Sequence, residues 1–339
     1  MTSEPARTIG LAGTGRIGTA HAETLRTLPG VGSVLVADAD PERARAAAAK
    51  LGVEFVPDVD ALFAADLDGL VITTATDSHP ELITRAVDLG IPVFCEKPVA
   101  ADIAGTLAVL DHIGASRVPV QIGFQRRFDA GYRAARAAVA AGELGWLHTV
   151  RATTLDPAPP PAEYIPRSGG IFRDCGVHDF DIIRWVTGRE VVRVYATGAN
   201  RGAEIFAAAG DVDTAAAVLT LDDGTLATVS LTRYNGAGYD VRLEALGSRA
   251  NAIVGLDERA PLRSVEPGYP AAAAPAYPGF MERFRAAYTE ELATFLAVLR
   301  GEIDNPCTPA DALAAFYIAE ACERSRAAHR PVAVAEVVR

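Results

Sequence analysis

The stretch Thr8-Ile9-Gly10-Leu11-Ala12-Gly13-Thr14-Gly15-Arg16-Ile17-Gly18 decides the fold. A short apolar run stops at a glycine-x-glycine-x-x-glycine, and a helical pattern follows. In such a strand-turn-helix, Gly13 permits the tight turn, Gly15 lets a phosphate approach the backbone, and Gly18 lets the helix pack close to the strand. A dinucleotide's pyrophosphate then rests on the helix N-terminus, beside Arg16 and Ile17. An acidic residue, Asp38, closes the next apolar run 20 positions after Gly18. A carboxylate there accepts a hydrogen bond from a ribose 2′-hydroxyl and repels a 2′-phosphate, which favours NAD over NADP.

Around this stretch, apolar runs alternate with helical patterns through the first ~120 residues, the signature of βαβ units and a doubly wound parallel sheet. Strands are expected at Thr8 to Ala12, Val34 to Asp38, Gly69 to Thr73, Val93 to Cys95 and Val118 to Ile122. Asp40-Pro41-Glu42 reads as a helix start, with Asp40 as the cap and Pro41 at the first helical position.

From Gly123 the texture changes. Alternating stretches at Val191 to Thr197, Thr214 to Leu221, Leu226 to Tyr234 and Val241 to Leu246, with a hairpin turn at Asp223-Gly224, point to a large, mostly antiparallel open sheet. Helical patterns at Ile171 to Val186, Phe280 to Leu299 and Pro309 to Ala328 are expected to cover one face. The other face calls for a partner, so self-association is expected. The reading is thus an α/β chain of two domains, residues 1–122 and an α+β domain at 123–339, with the last helices packing back on the first. Asp156 to Ala162 and Gly268 to Pro278 are too rich in proline for regular structure and are read as loops at a pocket rim.

Composition excludes several classes. The 339 residues are half apolar and 22% charged, which rules out disordered and fibrous chains. A net charge of -11, without basic runs, argues against nucleic acid and anionic membranes. Four cysteines, Cys95, Cys175, Cys307 and Cys322, form no C-x-x-C pair. With no apolar leader at Met1 to Arg7, this composition reads as a reduced, cytoplasmic setting.

Two patches carry chemistry. Phe94-Cys95-Glu96-Lys97-Pro98 ends a strand, where open α/β sheets bind ligands, and the Lys-Pro step restricts the backbone that aims the ammonium. In the second domain Asp174 and His178 are four apart at a helix start, so on a helix they share one face. A carboxylate beside an imidazole can fix its tautomer and stabilise its charged form, as a general base requires. No third and fourth ligand stand at metal spacing, and no metal is expected.

Together these motifs resemble the glucose-fructose oxidoreductase and inositol dehydrogenase (Gfo/Idh/MocA) family, above all its inositol 2-dehydrogenases. The resemblance runs from the glycine fingerprint through Glu96-Lys97-Pro98, Gln121-Ile122-Gly123-Phe124-Gln125-Arg126-Arg127-Phe128-Asp129 and Asp174-x-x-x-His178-Asp179-x-Asp181. It continues through Gly238-Tyr239-Asp240, Arg283-Phe284-x-Ala286-Ala287-Tyr288 and Pro331-Val332. It implies an NAD-binding Rossmann domain and a C-terminal sheet that mediates homodimers or homotetramers. By the same matching, Lys97, Asp174 and His178 are the expected catalytic residues, and Arg127, Asp156, Tyr239 and Tyr288 join them in contacting a cyclic polyol or sugar. Cofactor contacts are expected from Thr74, Ala75, His79, Glu96 and Lys97, beside the glycine loop and Asp38. His79 itself reads as a structural helix-start residue, and Cys175 as packing. Leu155 stands where the family carries a polar, hydroxyl-reading residue, which bears on the choice of polyol.

The expected reaction is NAD-dependent oxidation of a secondary hydroxyl to a ketone. His178 takes the proton, Asp174 orients it, and Lys97 stabilises developing alkoxide. A sugar oxidoreductase with a tightly held dinucleotide and a silent NAD-sensing regulator are the alternatives.

Overall fold

The computed structural model describes residues 6–114, 116–268 and 274–338, so Met1 to Pro5 and part of the expected Gly268 to Pro278 loop lie outside the described residues. The chain divides into two compact units. One is Met1–Gln125 with Ala286–Leu313, and the other is Arg126–Arg285 with Ala314–Arg339.

The first unit alternates strands and helices: β1 (Arg7–Ala12), α1 (Arg16–Leu25), β2 (Val31–Ala37), α2 (Pro41–Leu51), β3 (Glu54–Phe55), α3 (Val59–Phe63), β4 (Gly69–Ile72), α4 (His79–Asp88), β5 (Val93–Glu96), α5 (Ile103–Ile113) and β6 (Val120–Gly123). All pairings are parallel, in the order β3-β2-β1-β4-β5-β6. Ile9, Leu11, Val34, Val36 and Val71 are buried, because helices cover both faces of a parallel sheet, and Leu292, Phe295 and Leu296 of the helix Arg285–Leu299 complete this core. The strand order reverses between β1 and β4, and ligands of such sheets bind beyond the carboxyl ends of the strands at that switch point. Asp40 caps α2 as its sequence suggests, accepting from the amides of Glu42 and Arg43 with Pro41 in the first turn.

The second unit contains α6 (Ala130–Ala140), β7 (Leu147–Leu155), α7 (Val177–Thr187), β8 (Val191–Ala199), α8 (Ile205–Ala208), β9 (Thr214–Leu221), β10 (Leu226–Thr232), β11 (Asp240–Gly247), β12 (Asn251–Val254) and α9 (Phe280–Arg283). The helix Arg285–Leu299 is α10, and α11 (Pro309–Ala328) and β13 (Val332–Ala333) end the chain. The sheet order is β12-β11-β7-β10-β9-β8-β13, antiparallel except for β10 against β7. The mostly antiparallel sheet is therefore present, with three strands beyond those expected. Of these β7 is central, yet its buried face is Val150, Ala152 and Thr154, small residues that give little hydropathy contrast.

Two expected helices differ in detail. Ile171 to Val186 opens with a wide π turn at Phe172–Gly176 before α7 begins, and Phe280 to Leu299 is interrupted at Phe284. The π turn carries Asp174, four positions before His178 in the first turn of α7.

Buried charge ties α7 to the sheet. Arg126 donates through Nη1 to Asp179 Oδ1 at 2.7 Å and through Nη2 to Thr154 Oγ1 at 2.8 Å, while Thr154 donates to Asp179 Oδ2 at 2.8 Å. Burial pushes the Asp179 carboxyl up, and Arg126 and Thr154 hold it back. Arg126→Met strands that carboxylate, and the expected loss is about 3–5 kcal/mol by urea denaturation. Adding Asp179→Leu should recover most of it.

Candidate active site

The dinucleotide half begins with the loop between β1 and α1. Gly13 has φ 96°, a left-handed conformation suited to glycine, and its amide donates to Ala37 O at 2.8 Å. Thr73 Oγ1 donates to Gly13 O at 2.6 Å, holding the loop against the end of β4 and beside Thr74 and Ala75. A Cβ at Gly15 meets nothing within 4 Å, and no side chain caps α1 there. An uncapped helix start with open space at its cap residue fits a pyrophosphate.

Asp38 is buried at the end of β2, and its carboxylate accepts four hydrogen bonds. Oδ2 receives the Thr14 amide at 2.6 Å and the Thr14 hydroxyl at 2.9 Å, and Oδ1 receives the Asp40 amide at 3.0 Å and Arg43 Nη2 at 2.6 Å. Against the upward push of burial, these partners, Arg43 foremost, hold its pKa at about 2. A ribose hydroxyl would therefore share Asp38 with, or displace, the half-exposed Arg43. Sequence reading missed Arg43, which reaches back from the first turn of α2.

Lys97 follows the last residue of β5, and the Lys97-Pro98 bond is cis. His79 opens α4, with Nδ1 2.7 Å from Pro98 O and Nε2 3.2 Å from Thr74 O. Burial pushes its pKa down against those carbonyls. Its place between two loop carbonyls is that of a structural residue. Glu96 turns the other way: His21 Nε2, on α1, lies 2.7 Å from Glu96 Oε1 and 3.9 Å from Glu291 Oε1, on α10. Three donor atoms of these residues lie within 4.8 Å, as a metal could use. Donors on one tetrahedral zinc stand about 3.3 Å apart, however, so the 2.7 Å contact is that of a hydrogen bond holding a proton. Burial first, and then Glu96, pushes the Glu291 carboxyl well above the usual range, which favours its neutral form. Tyr288, expected at the polyol, is buried with its ring 5.7 Å from His21.

The second unit carries the remaining residues. Asp174 Oδ1 accepts from Tyr164 Oη at 3.0 Å, and Oδ2 from Arg233 Nη2 at 2.7 Å. Arg233 Nη1 donates to Asp156 Oδ2 at 3.1 Å, where Cys175 Sγ also approaches to 3.6 Å. Burial pushes the Asp156 carboxyl up against the pull of Arg233. His178 is the second residue of α7, next to the buried Asp179. Arg127, expected at the polyol, is only 4% exposed and donates through Nε and Nη2 to Asp181, at 2.9 and 2.5 Å. Tyr239 is buried, and burial raises its hydroxyl pKa. Leu155 ends β7 beside Asp156, half-buried. The expected catalytic residues are thus divided between the units, Lys97 in the first and Asp174 and His178 in the second. Tyr164 and Arg233 escaped the sequence reading because neither sits in a local motif with the carboxylate it serves.

Residues 7–124 match the oxidoreductase family with the NAD-binding Rossmann fold, and residues 132–253 match the GFO/IDH/MocA C-terminal domain. The chain is 38% identical over 327 residues to the inositol 2-dehydrogenase of Rhizobium meliloti, covering 96% of this chain and 98% of that one. Among solved structures, a probable dehydrogenase from Thermotoga maritima is similar with a TM-score of 0.91 and 33% identity, covering 97% of this chain and 99% of that one. The scyllo-inositol dehydrogenase from Lactobacillus casei with bound NAD(H) and scyllo-inositol is similar with a TM-score of 0.88 and 30% identity, covering 97% and 99%.

Arg43→Ala should sharpen the preference for NAD over NADP, because the cation that offsets Asp38 is gone. The expected gain in the ratio of kcat/KM values is roughly twofold to fivefold, the range of an exposed pair worth up to about 1 kcal/mol. For Glu291 the sign is opposite to that of a salt-bridged acid. Its folded pKa is raised, so the folded state loses stability as pH rises above the free value of about 4.3. Glu291→Gln mimics the neutral acid, and its Tm should gain on the wild type as pH rises from 5 to 8.

Proposed function

The chain belongs to the Gfo/Idh/MocA oxidoreductases with their NAD-binding Rossmann fold, and on that premise we propose that it oxidises one secondary hydroxyl of a cyclic polyol, an inositol or a close relative, to the ketone. The observation that carries this reading is similarity to inositol dehydrogenases through both units. Lys97, Asp174 and His178 are all present.

NAD, when bound, supplies the hydride acceptor. The glycine loop, the uncapped start of α1 and Asp38 hold the dinucleotide, and Thr74 and Ala75 border it. Lys97, Asp174 and His178 are the residues assigned to the chemistry. Lys97 donates to the reacting oxygen and stabilises the alkoxide as it forms, and His178 takes the hydroxyl proton. Asp174, which accepts from Arg233 and Tyr164, orients the imidazole and favours its charged form. Asp156 and Tyr239 read neighbouring hydroxyls, and Leu155 offers an apolar edge that disfavours a hydroxyl at one position. Arg127 acts from its fixed place on Asp181. Exposed Tyr195, Val218 and Ile253 on the outer face of the second-unit sheet suit a homodimer or homotetramer. No helix among the described residues is long and apolar enough to cross a membrane. Four free cysteines suit work in a reducing cytoplasm.

A panel of inositols and pyranoses with NAD or NADP, read by NADH absorbance, tests the reaction. We expect turnover with at least one inositol and NAD. Lys97→Ala should cut it roughly 100-fold or more. Absence of turnover on the whole panel, or an undiminished Lys97→Ala enzyme, overturns the reading.

A further inference from the structure

We propose that Arg233, in no motif of the sequence, is a positioning residue of the oxidation. In this reading it joins Asp156 to Asp174 and keeps Asp174 ionised and turned in one direction. The proposal rests on the function given above, and extends it to a residue that neither touches the reacting atoms nor belongs to the Lys97, Asp174 and His178 set.

The geometry carries it. Arg233 follows the last residue of β10, and its amide donates to Asp213 O at 2.8 Å, so its backbone is fixed to the strand end. Its side chain is 4% exposed and splits its two terminal nitrogens between two carboxylates, Asp156 at 22% and Asp174 at 12% exposure. Asp156 is just as fixed: its amide donates to Thr232 O at 2.9 Å and its carbonyl accepts from Asn235 N at 2.7 Å. Tyr164 completes the array on the far oxygen of Asp174. A planar guanidinium can serve two carboxylates at a set angle, which a lysine ammonium cannot do with comparable geometry.

The charge count gives the consequence. Two carboxylates face one guanidinium, with the Tyr164 hydroxyl on Asp174, the Cys175 thiol on Asp156 and the Tyr239 hydroxyl acting on Asp156 as the further titratable groups that bear on them. Without Arg233 two partly buried like charges would confront each other, and one of them would take up a proton at neutral pH. A protonated Asp174 no longer favours the charged imidazole of His178.

The test compares wild type, Arg233→Met, Arg233→Lys and the double variant Arg233→Met/Asp156→Asn. Their Tm is measured from pH 5 to 8.5, alongside the pH profile of kcat/KM and NADH affinity by fluorescence. We expect Arg233→Met to fall further below wild type in Tm as pH rises, since its carboxylates bind protons in the folded state. Adding Asp156→Asn should recover part of that loss. Activity of Arg233→Met and Arg233→Lys should drop at least tenfold at pH 7 with NADH affinity within twofold. The acid limb of the Arg233→Met profile should move to higher pH, with the lysine variant lying between it and wild type. A Tm deficit that is the same at every pH and unrelieved by Asp156→Asn, or a lowered plateau with an unmoved acid limb, overturns the proposal. If wild type oxidises no polyol, the function reading fails by itself, and the Tm comparison still decides whether Arg233 sets the charge of the carboxylates.

Discussion

A Cβ placed on Gly18 would lie 1.9 Å from the Gly13 carbonyl oxygen and 2.5 Å from Thr73 Oγ1, a separation that real side chains do not tolerate. That close approach seats α1 on the end of β1, and much of the first unit follows from it. With α1 so placed, its first-turn amides face the open space at Gly15. One turn further on, His21 meets Glu96 at the end of β5. Lys97 is the next residue, and His79 returns from Pro98 to Thr74. The phosphate-binding turn and the segment that carries the lysine are therefore linked through a set of short contacts between residues 5 to 75 positions apart in the chain. A side chain at Gly18 would loosen them all together.

The second unit depends on charge where the first depends on close backbone packing. Asp156, Asp174, Asp179 and Asp181 face Arg126, Arg127 and Arg233 in surroundings largely closed to water. Such pairs add little net stability, since desolvation offsets most of the attraction. What they provide is direction. A guanidinium fixed by two acceptors cannot rotate without losing both, so each carboxylate is presented at one angle. The π turn at Phe172–Gly176 contributes by widening the backbone where Asp174 leaves it, so that its carboxylate meets Tyr164 and Arg233.

Legibility in the sequence followed the range of each interaction. The Rossmann strands were readable because a strand covered on both faces is apolar along its length, and Asp40-Pro41 announces a helix start within three residues. The strand β7 was not, although it lies in the middle of its sheet. Its inward residues are small, and its neighbours β10 and β11 come from sequence about 70 to 100 residues away. Asp38 was legible as an acid at the right spacing, but its saturation by Thr14, Asp40 and Arg43 was not, since that depends on how the α2 turn folds back.

By itself the sequence determined the βαβ half, the glycine cradle, the acidic strand end and the placement of Lys97, because each depends on residues within one local unit. It also determined, through the resemblance of its motifs, which oxidoreductase family the chain falls into. Only the tertiary structure decided the partners of the carboxylates: that Arg233 and Tyr164 hold Asp174, that Arg127 is held by Asp181, and that Glu291 is buried against His21 and Glu96. Those contacts join residues 10 to 270 positions apart, and the charge and orientation of each group depend on what surrounds it in space, which no local spacing encodes.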